Sequence, residues 1–365
     1  MLQALLRTFR QFDWVLMGAV FVMFCLGDAI IYSVGLGKEP QNLYYFQKQT
    51  ITFLVMLPVV FLIGCINYRK IKNFSAVSYV IMCGILVAVL FFGQTIRGTK
   101  GWFYFGSFGF QPAELAKIGL VLALAQYFHA YTRQIHQLRH VIVSAVIALI
   151  SAGLVMFQPD FGTALILVSI WLGVILMSGI PKRYIASLGI IAAIALTCAW
   201  LFLFKDYQKD RVLAFINPAM EQQGRSYNVN QSLIAIGGGG LLGQGLGFGS
   251  QSHLKFLPEN QTDFIFAVIA EELGFLGIFT LISLWAMIFY RLTVLMRRAR
   301  DDFALFTALG IALIFIIQVS INIGGNLGIL PITGIVLPFI SYGGSALVAA
   351  MLMVGIVQSL ASHSG

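Results

Sequence analysis

Apolar segments close to twenty residues long recur from one end of this chain to the other, and that recurrence constrains the fold more than any other feature. Wound as helix, such a segment crosses roughly 30 Å of hydrocarbon. Of the 365 residues, 59% are hydrophobic and 10% charged, whereas a soluble domain carries about 25% charged residues. A membrane β-barrel would need short alternating segments, and the sequence has none. The chain therefore reads as all-α and polytopic, with about ten spanning helices. They are predicted at Trp14–Val34, Thr50–Ile66, Ser78–Phe92, Pro112–Phe128, Val141–Phe157, Phe161–Ser178, Ile185–Phe204, Phe264–Tyr290, Phe303–Ile323 and Ala346–Leu360. Residues 1–365 form one domain in this reading, interrupted before the eighth span by a long extracytoplasmic loop, Lys205–Thr262.

Charge asymmetry sets the orientation. With the N-terminus inside, the cytoplasmic loops hold Arg7, Arg10, Arg69, Lys70, Lys72, Arg133, Arg139, Lys182, Arg183, Arg291, Arg297, Arg298 and Arg300. The short outer loops hold far fewer, among them Lys38, Arg97 and Lys100. Cytoplasmic enrichment of cations is the expected pattern, so both termini are placed in the cytoplasm. This assignment depends on a tight hairpin at Gln158-Pro159-Asp160; one continuous helix there would invert everything downstream. The net charge of +9 is then topology signal and headgroup contact, not a nucleic-acid surface. No cleavable leader precedes the first span. Cys25, Cys65, Cys83 and Cys198 all fall in apolar spans without metal or disulfide spacing.

The glycine run Gly237-Gly238-Gly239-Gly240, continued by Gly243, Gly245, Gly247 and Gly249, admits two readings. It could cradle phosphate on backbone N–H groups, but the Lys and Ser/Thr of a nucleotide loop are missing. Otherwise it allows close packing of a lid against the membrane surface. Ionisable residues within spans are costly and mark function by default. Asp28, Glu114, Glu271 and Glu272 lie in spans, Asp160 at the hairpin and Asp263 at a helix mouth. Glu114 and Lys117, three apart, either neutralise each other or border a cavity for a charged headgroup. Glu271 and Glu272 are expected to pair with buried donors. Asp263 is either a first-turn carboxylate held by the helix dipole or a base at the membrane boundary that takes a proton from a substrate hydroxyl.

A resemblance now bears on these alternatives. The chain resembles the shape, elongation, division and sporulation (SEDS) family in Gln231–Gly237, in the glycine run and in Leu257-Pro258-Glu259…Thr262-Asp263-Phe264-Ile265-Phe266…Glu271-Glu272-Leu273-Gly274. The same holds for Gln111-Pro112-Ala113-Glu114, Gln158-Pro159-Asp160-Phe161-Gly162-Thr163 and Leu337-Pro338-Phe339-Ile340-Ser341-Tyr342-Gly343-Gly344-Ser345. Asn322…Asn326 and Leu330-Pro331-Ile332-Thr333-Gly334 are similar to the rod-shape branch; the division branch usually has Thr-Lys-Gly at 332–334.

The resemblance implies a plasma-membrane peptidoglycan glycosyltransferase that polymerises lipid II, with Asp263 as the essential carboxylate. It implies activity-linked roles for Trp102, Glu114, Lys117 and Asp160, and a class B penicillin-binding protein as partner. Where the family commonly has His, Arg and two Ser residues, this chain has Gln261, Gly101, Ala113 and Ala346. The leaving diphosphate needs Arg, Lys or a divalent cation such as Mg2+ or Mn2+ beside it; Arg97, Lys100 and Arg211 are the outer-face candidates. A flippase for the lipid-linked precursor would use the same polar residues, and a scaffold for a partner enzyme is the third reading.

Overall fold

In a computed structural model the described residues are 11–36, 43–96, 98–106, 108–134, 137–181, 183–184, 186–187, 189–190, 197, 200–201, 225–253 and 256–363. They are mostly helical. The helices are α1 (Trp14–Leu36), α2 (Tyr44–Cys65), α3 (Tyr68–Phe92), α4 (Pro112–Tyr131), α5 (Leu138–Met156) and α6 (Phe161–Met177), then α7 (Arg225–Gly238), α8 (Ser250–His253), α9 (Ile265–Arg297), α10 (Asp302–Asn326) and α11 (Gly344–His363). Seven of these, α1, α2, α3, α5, α9, α10 and α11, are long and apolar enough to cross a membrane. α6 is apolar but has 17 residues. α4 has 20, and its Glu, Lys, Gln and His side chains dilute its apolar character because it runs through the protein interior. The predicted span Ile185–Phe204 lies largely outside the described residues. The chain is a multi-pass helical membrane protein.

Polar side chains stop and start these helices. Asp13 accepts from Leu16 N (3.0 Å), Asn67 from Arg69 N (2.9 Å), Asp160 from Thr163 N (3.0 Å) and Asp301 from Ala304 N (3.0 Å). Each takes an N–H that a helix start leaves without an intrahelical partner. The hairpin expected at Gln158–Asp160 is present: α5 ends at Met156, and α6 begins at Phe161 and packs back on it. α4 is the hub of the bundle, in contact with α3, α5, α6, α10 and α11.

One feature departs from the all-α expectation. Residues between α3 and α4 form a three-stranded antiparallel sheet, β1 (Gln94–Ile96), β2 (Thr99–Phe105) and β3 (Phe108–Phe110). The aromatic run Trp102-Phe103-Tyr104-Phe105 favours strand, and Gly98 and Gly106 supply the positive φ (82° and 63°) that the reversals require. The sheet is tied to the hairpin through Lys100 N, which donates to Gln158 O (3.2 Å).

α9 is broken at Gly274, whose backbone is non-helical (φ 63°, ψ −157°). A break within a span orphans backbone polar groups, and these must find partners inside the protein. The glycine run supplies them. Gln244 N donates to Glu271 O (2.9 Å) and Gly245 N to Glu272 O (3.0 Å). In return Phe275 N donates to Gly240 O (2.9 Å) and Leu276 N to Leu241 O (3.2 Å). A Cβ at Gly239 would lie 1.8 Å from Ala270 O, and one at Gly243 2.1 Å from Glu272 O. The glycines serve close packing, as one of the two readings required, but against the broken helix and not as a lid on the membrane surface.

Candidate active site

Asp263 sits where the chain turns into α9. The first helical residue is Ile265 and the N-cap is Phe264, so the carboxylate lies two residues before the helix. This corrects the expectation of a first-turn acid. The turn preceding it is wound tightly about one carbonyl: Thr262 N, Asp263 N and Phe264 N all donate to Glu259 O (3.1, 3.1 and 3.3 Å). Glu259 itself holds a left-handed φ of 52°, a conformation that persists only where its surroundings enforce it.

That enforcement comes from three elements. The segment 337–342 straps the turn: Ser341 Oγ donates to Thr262 O (2.6 Å) while accepting from Leu337 N (2.9 Å), and Tyr342 N donates to Gln261 O (2.8 Å). Gln261, standing where an imidazole was expected by resemblance, is buried and donates to Ile31 O on α1 (3.4 Å). It is a structural tie. The third element is α10, through two amides one turn apart. Asn326 Nδ2 donates to Asp263 O (2.9 Å), and Asn326 Oδ1 accepts from Ala267 N (3.2 Å). Asp263 O and Ala267 N are the pair that would bond directly if α9 began one residue earlier. The Asn326 amide spans that gap and keeps Asp263 outside the helix. Asn322 Nδ2 adds a second donor to Asp263 O (3.1 Å) and also reaches Ile335 O (2.8 Å).

A small crevice opens beside Asp263, walled by Phe264, Ile321, Asn322, Gly325, Asn326 and residues 332–335. Gly334, at φ 77°, lets the 332–335 segment turn there, with its α-carbon towards Asp263 Oδ2.

The other predicted residues gather around the hairpin. Lys117 Nζ donates to Glu114 Oε2 (2.7 Å), and both are buried. Gln111 Nε2 reaches Asp160 Oδ2 (3.2 Å). Burial pushes the Asp160 carboxyl above its ordinary range; the Thr163 N–H and hydroxyl hold it down, with Glu114 raising it and Lys117 lowering it further. Lys100 and Trp102 lie on either side of a register shift in β2, Lys100 opposite Thr95 and Trp102 opposite Gln94, at the strand tied to Gln158. This cluster approaches the Asp263 region at Gly162, where an added Cβ would lie 3.1 Å from Thr333 O and 3.5 Å from Ile335. Arg97 and Arg211 lie outside the described residues. Among the described residues no three His, Cys, Asp or Glu side chains converge to hold a metal such as Mg2+ or Mn2+.

Glu271 and Glu272 pair with buried donors, as expected. Glu271 accepts from Gln251 N (2.7 Å) and Ser252 N (3.1 Å), and Glu272 from Ser33 Oγ (2.7 Å). Sequence reasoning missed the roles of Asn322, Asn326 and Ser341. Three amides spaced four apart, Gln318, Asn322 and Asn326, in a largely apolar helix were the available signal.

The family profile for FtsW, RodA and SpoVE, described as cell cycle protein, matches residues 7–365. The chain belongs to this family. Among curated members of the FtsW/RodA/SpoVE family, it is 38% identical over 307 residues to peptidoglycan glycosyltransferase MrdB of Escherichia coli K12, covering 84% of this chain and 83% of the relative. It is 33% identical over 361 residues to stage V sporulation protein E of Bacillus subtilis 168, covering 96% and 97%. Among solved structures it superposes on a chain of a peptidoglycan synthase complex that coordinates polymerization and crosslinking, with TM-score 0.81, 30% identity and coverage of 97% and 98%. It superposes on the rod-shape-determining protein RodA of Thermus thermophilus with TM-score 0.72, 28% identity and coverage of 96% of each chain.

Proposed function

We propose that this chain is an inverting peptidoglycan glycosyltransferase that polymerises lipid II into β-1,4-linked strands, with Asp263 as general base. The observation that carries this reading is the construction at 259–264, where three elements converge to hold one carboxylate outside its helix and beside an open crevice. A helix-capping acid would need none of that. In the reaction, Asp263 takes the proton of the acceptor sugar's 4-hydroxyl as its oxygen bonds to C1 of the donor. The C1–O bond to the diphosphate breaks, and the diphosphate leaves with the electron pair. Charge on the leaving group must be met by cations held in place. Lys117 is neutralised by Glu114, which leaves Lys100, with Arg97 and Arg211, for that role.

The rod-shape branch is favoured, since Thr333 stands where the division branch usually has lysine. MrdB and the probable FtsW of Thiomicrospira cyclica (35% identical over 356 residues) both name the same activity. The partner we propose is a class B penicillin-binding protein, in keeping with the synthase complex whose chain this one resembles. The site end of the bundle is assigned to the outer face of a bacterial plasma membrane and both termini to the cytoplasm. A reporter within Arg297–Asp302 should read cytoplasmic and one within Gln222–Ser226 external; the reverse result inverts the orientation. The activity itself is tested with purified protein and lipid II in detergent, where polymer should accumulate. A flippase or a scaffold gives none, because neither forms a glycosidic bond.

A further inference from the structure

Two residues lining the crevice beside Asp263 each carry a polar atom with no hydrogen-bond partner among the described residues. Asn322 is 4% exposed, and its amide orientation is fixed, because its other polar atom donates to two carbonyls, Asp263 O and Ile335 O. Oδ1 is therefore the oxygen, and it is buried without a partner. On the facing wall, Thr333 Oγ1 is also buried and unpartnered. Both residues line the same crevice as Asp263. Buried polar atoms are normally hydrogen-bonded, and two unpartnered ones on one small crevice need an explanation beyond packing.

We infer that Asn322 Oδ1 and Thr333 Oγ1 form a hydrogen-bonding subsite for one arm of the acceptor sugar, adjacent to the hydroxyl that Asp263 deprotonates. This rests on the glycosyltransferase reading. The chemistry is specific. An amide oxygen only accepts, so its partner must be an O–H or an amide N–H. Thr333 can accept the same donor or donate in turn. An anion does not fit, since it would meet the lone pairs of Oδ1. The crevice's free volume is about 10 Å³, roughly what one water needs. It suits a single hydroxyl and not a ring or a bulkier arm. The amide that positions Asp263 through its nitrogen thereby also positions the nucleophile's sugar through its oxygen.

Thr333→Val tests this cleanly, because the hydroxyl holds nothing in the fold and the new methyl is its isostere. With the full chain in detergent and lipid II as the probe, Thr333→Val should keep or slightly raise thermal stability. It should raise KM for lipid II about five- to tenfold, as expected for one neutral hydrogen bond, with kcat within about twofold. Thr333→Ser keeps the hydroxyl and should bring KM back to within about twofold of wild type. Lipid II affinity measured directly by thermophoresis should follow the same order, so the subsite is tested even in a preparation that makes no polymer. A wild-type chain without polymerase activity would fail the proposed function, not this inference. Unchanged KM and affinity in Thr333→Val overturn the subsite. So does a Thr333→Ser variant as impaired as Thr333→Val, since the side-chain methyl and not the hydroxyl would then be the group that matters.

Discussion

Asp263 and Glu271 are eight residues apart on one helix and its mouth, and both are held by hydrogen bonds, but opposite parts of each residue are held. At Glu271 the carboxylate is the anchored group: two backbone N–H donors from α8 take its oxygens, and the side chain is fully buried. At Asp263 the main chain is anchored, by Glu259, Asn322 and Asn326, and the half-buried side chain lines a crevice. A carboxylate buried among backbone donors stabilises structure, whereas the Asp263 carboxylate, carried on a fixed backbone, lines a crevice. In the proposed reading, the structural and the reactive acid differ in where the carboxylate is presented: inside the fold at Glu271, on a crevice at Asp263. The Glu114–Lys117 pair belongs with Glu271, since its charges satisfy each other.

The sharpest way to break that contrast is Asp263→Asn. The backbone ties survive, so the protein should accumulate normally, while loss of a general base lowers the polymerisation rate by about 10²–10⁴-fold. A well-folded variant that polymerises lipid II near the wild-type rate would place Asp263 with the structural acids. Next in size is Lys117→Met, which strands Glu114 in the interior and should lower stability by about 3–5 kcal/mol in a detergent unfolding assay. Adding Glu114→Gln should recover most of that loss. If the double variant is stable and active, the pair is structural; if stable and inactive, it contacts substrate. Gly243→Ala should cost about 1–3 kcal/mol, because a left-handed residue gains a Cβ against Glu272 O. The loss should appear as earlier thermal unfolding. Smallest is Ser33→Ala, which removes the hydroxyl bonded to Glu272. Hydrogen bonds between spans contribute about 0.6 kcal/mol on average, so a modest melting shift with unchanged turnover is expected. A large loss of turnover instead would move Glu272 into the reactive class.

Much of this architecture is legible in the amino-acid sequence because the membrane leaves few options. Recurrent apolar lengths require spans, and the polar breaks at Asp13, Asn67, Gln158–Asp160 and Asp301 mark where they end. The motif around Asp263 singles out the same acid by resemblance. The three-stranded sheet escaped that reading. Strand pairing is a non-local choice, and a short aromatic run between two spans gives no periodicity to distinguish strand from interfacial loop.

Local sequence thus determined the spans, their caps and the identity of the exceptional acids, because each depends on the cost of placing a side chain or a backbone end in hydrocarbon. Tertiary structure alone decided what each exception does. The glycine run is meaningful only against the break at Gly274, some thirty residues on, whose orphaned carbonyls and amides it satisfies. The side-chain amide of Asn326 becomes a wedge only because α10 carries it to the gap between Asp263 O and Ala267 N. Hydrogen bonds act over about 3 Å, so the partner that fixes a polar group's role is set by which helices meet, and that is a property of the assembled bundle.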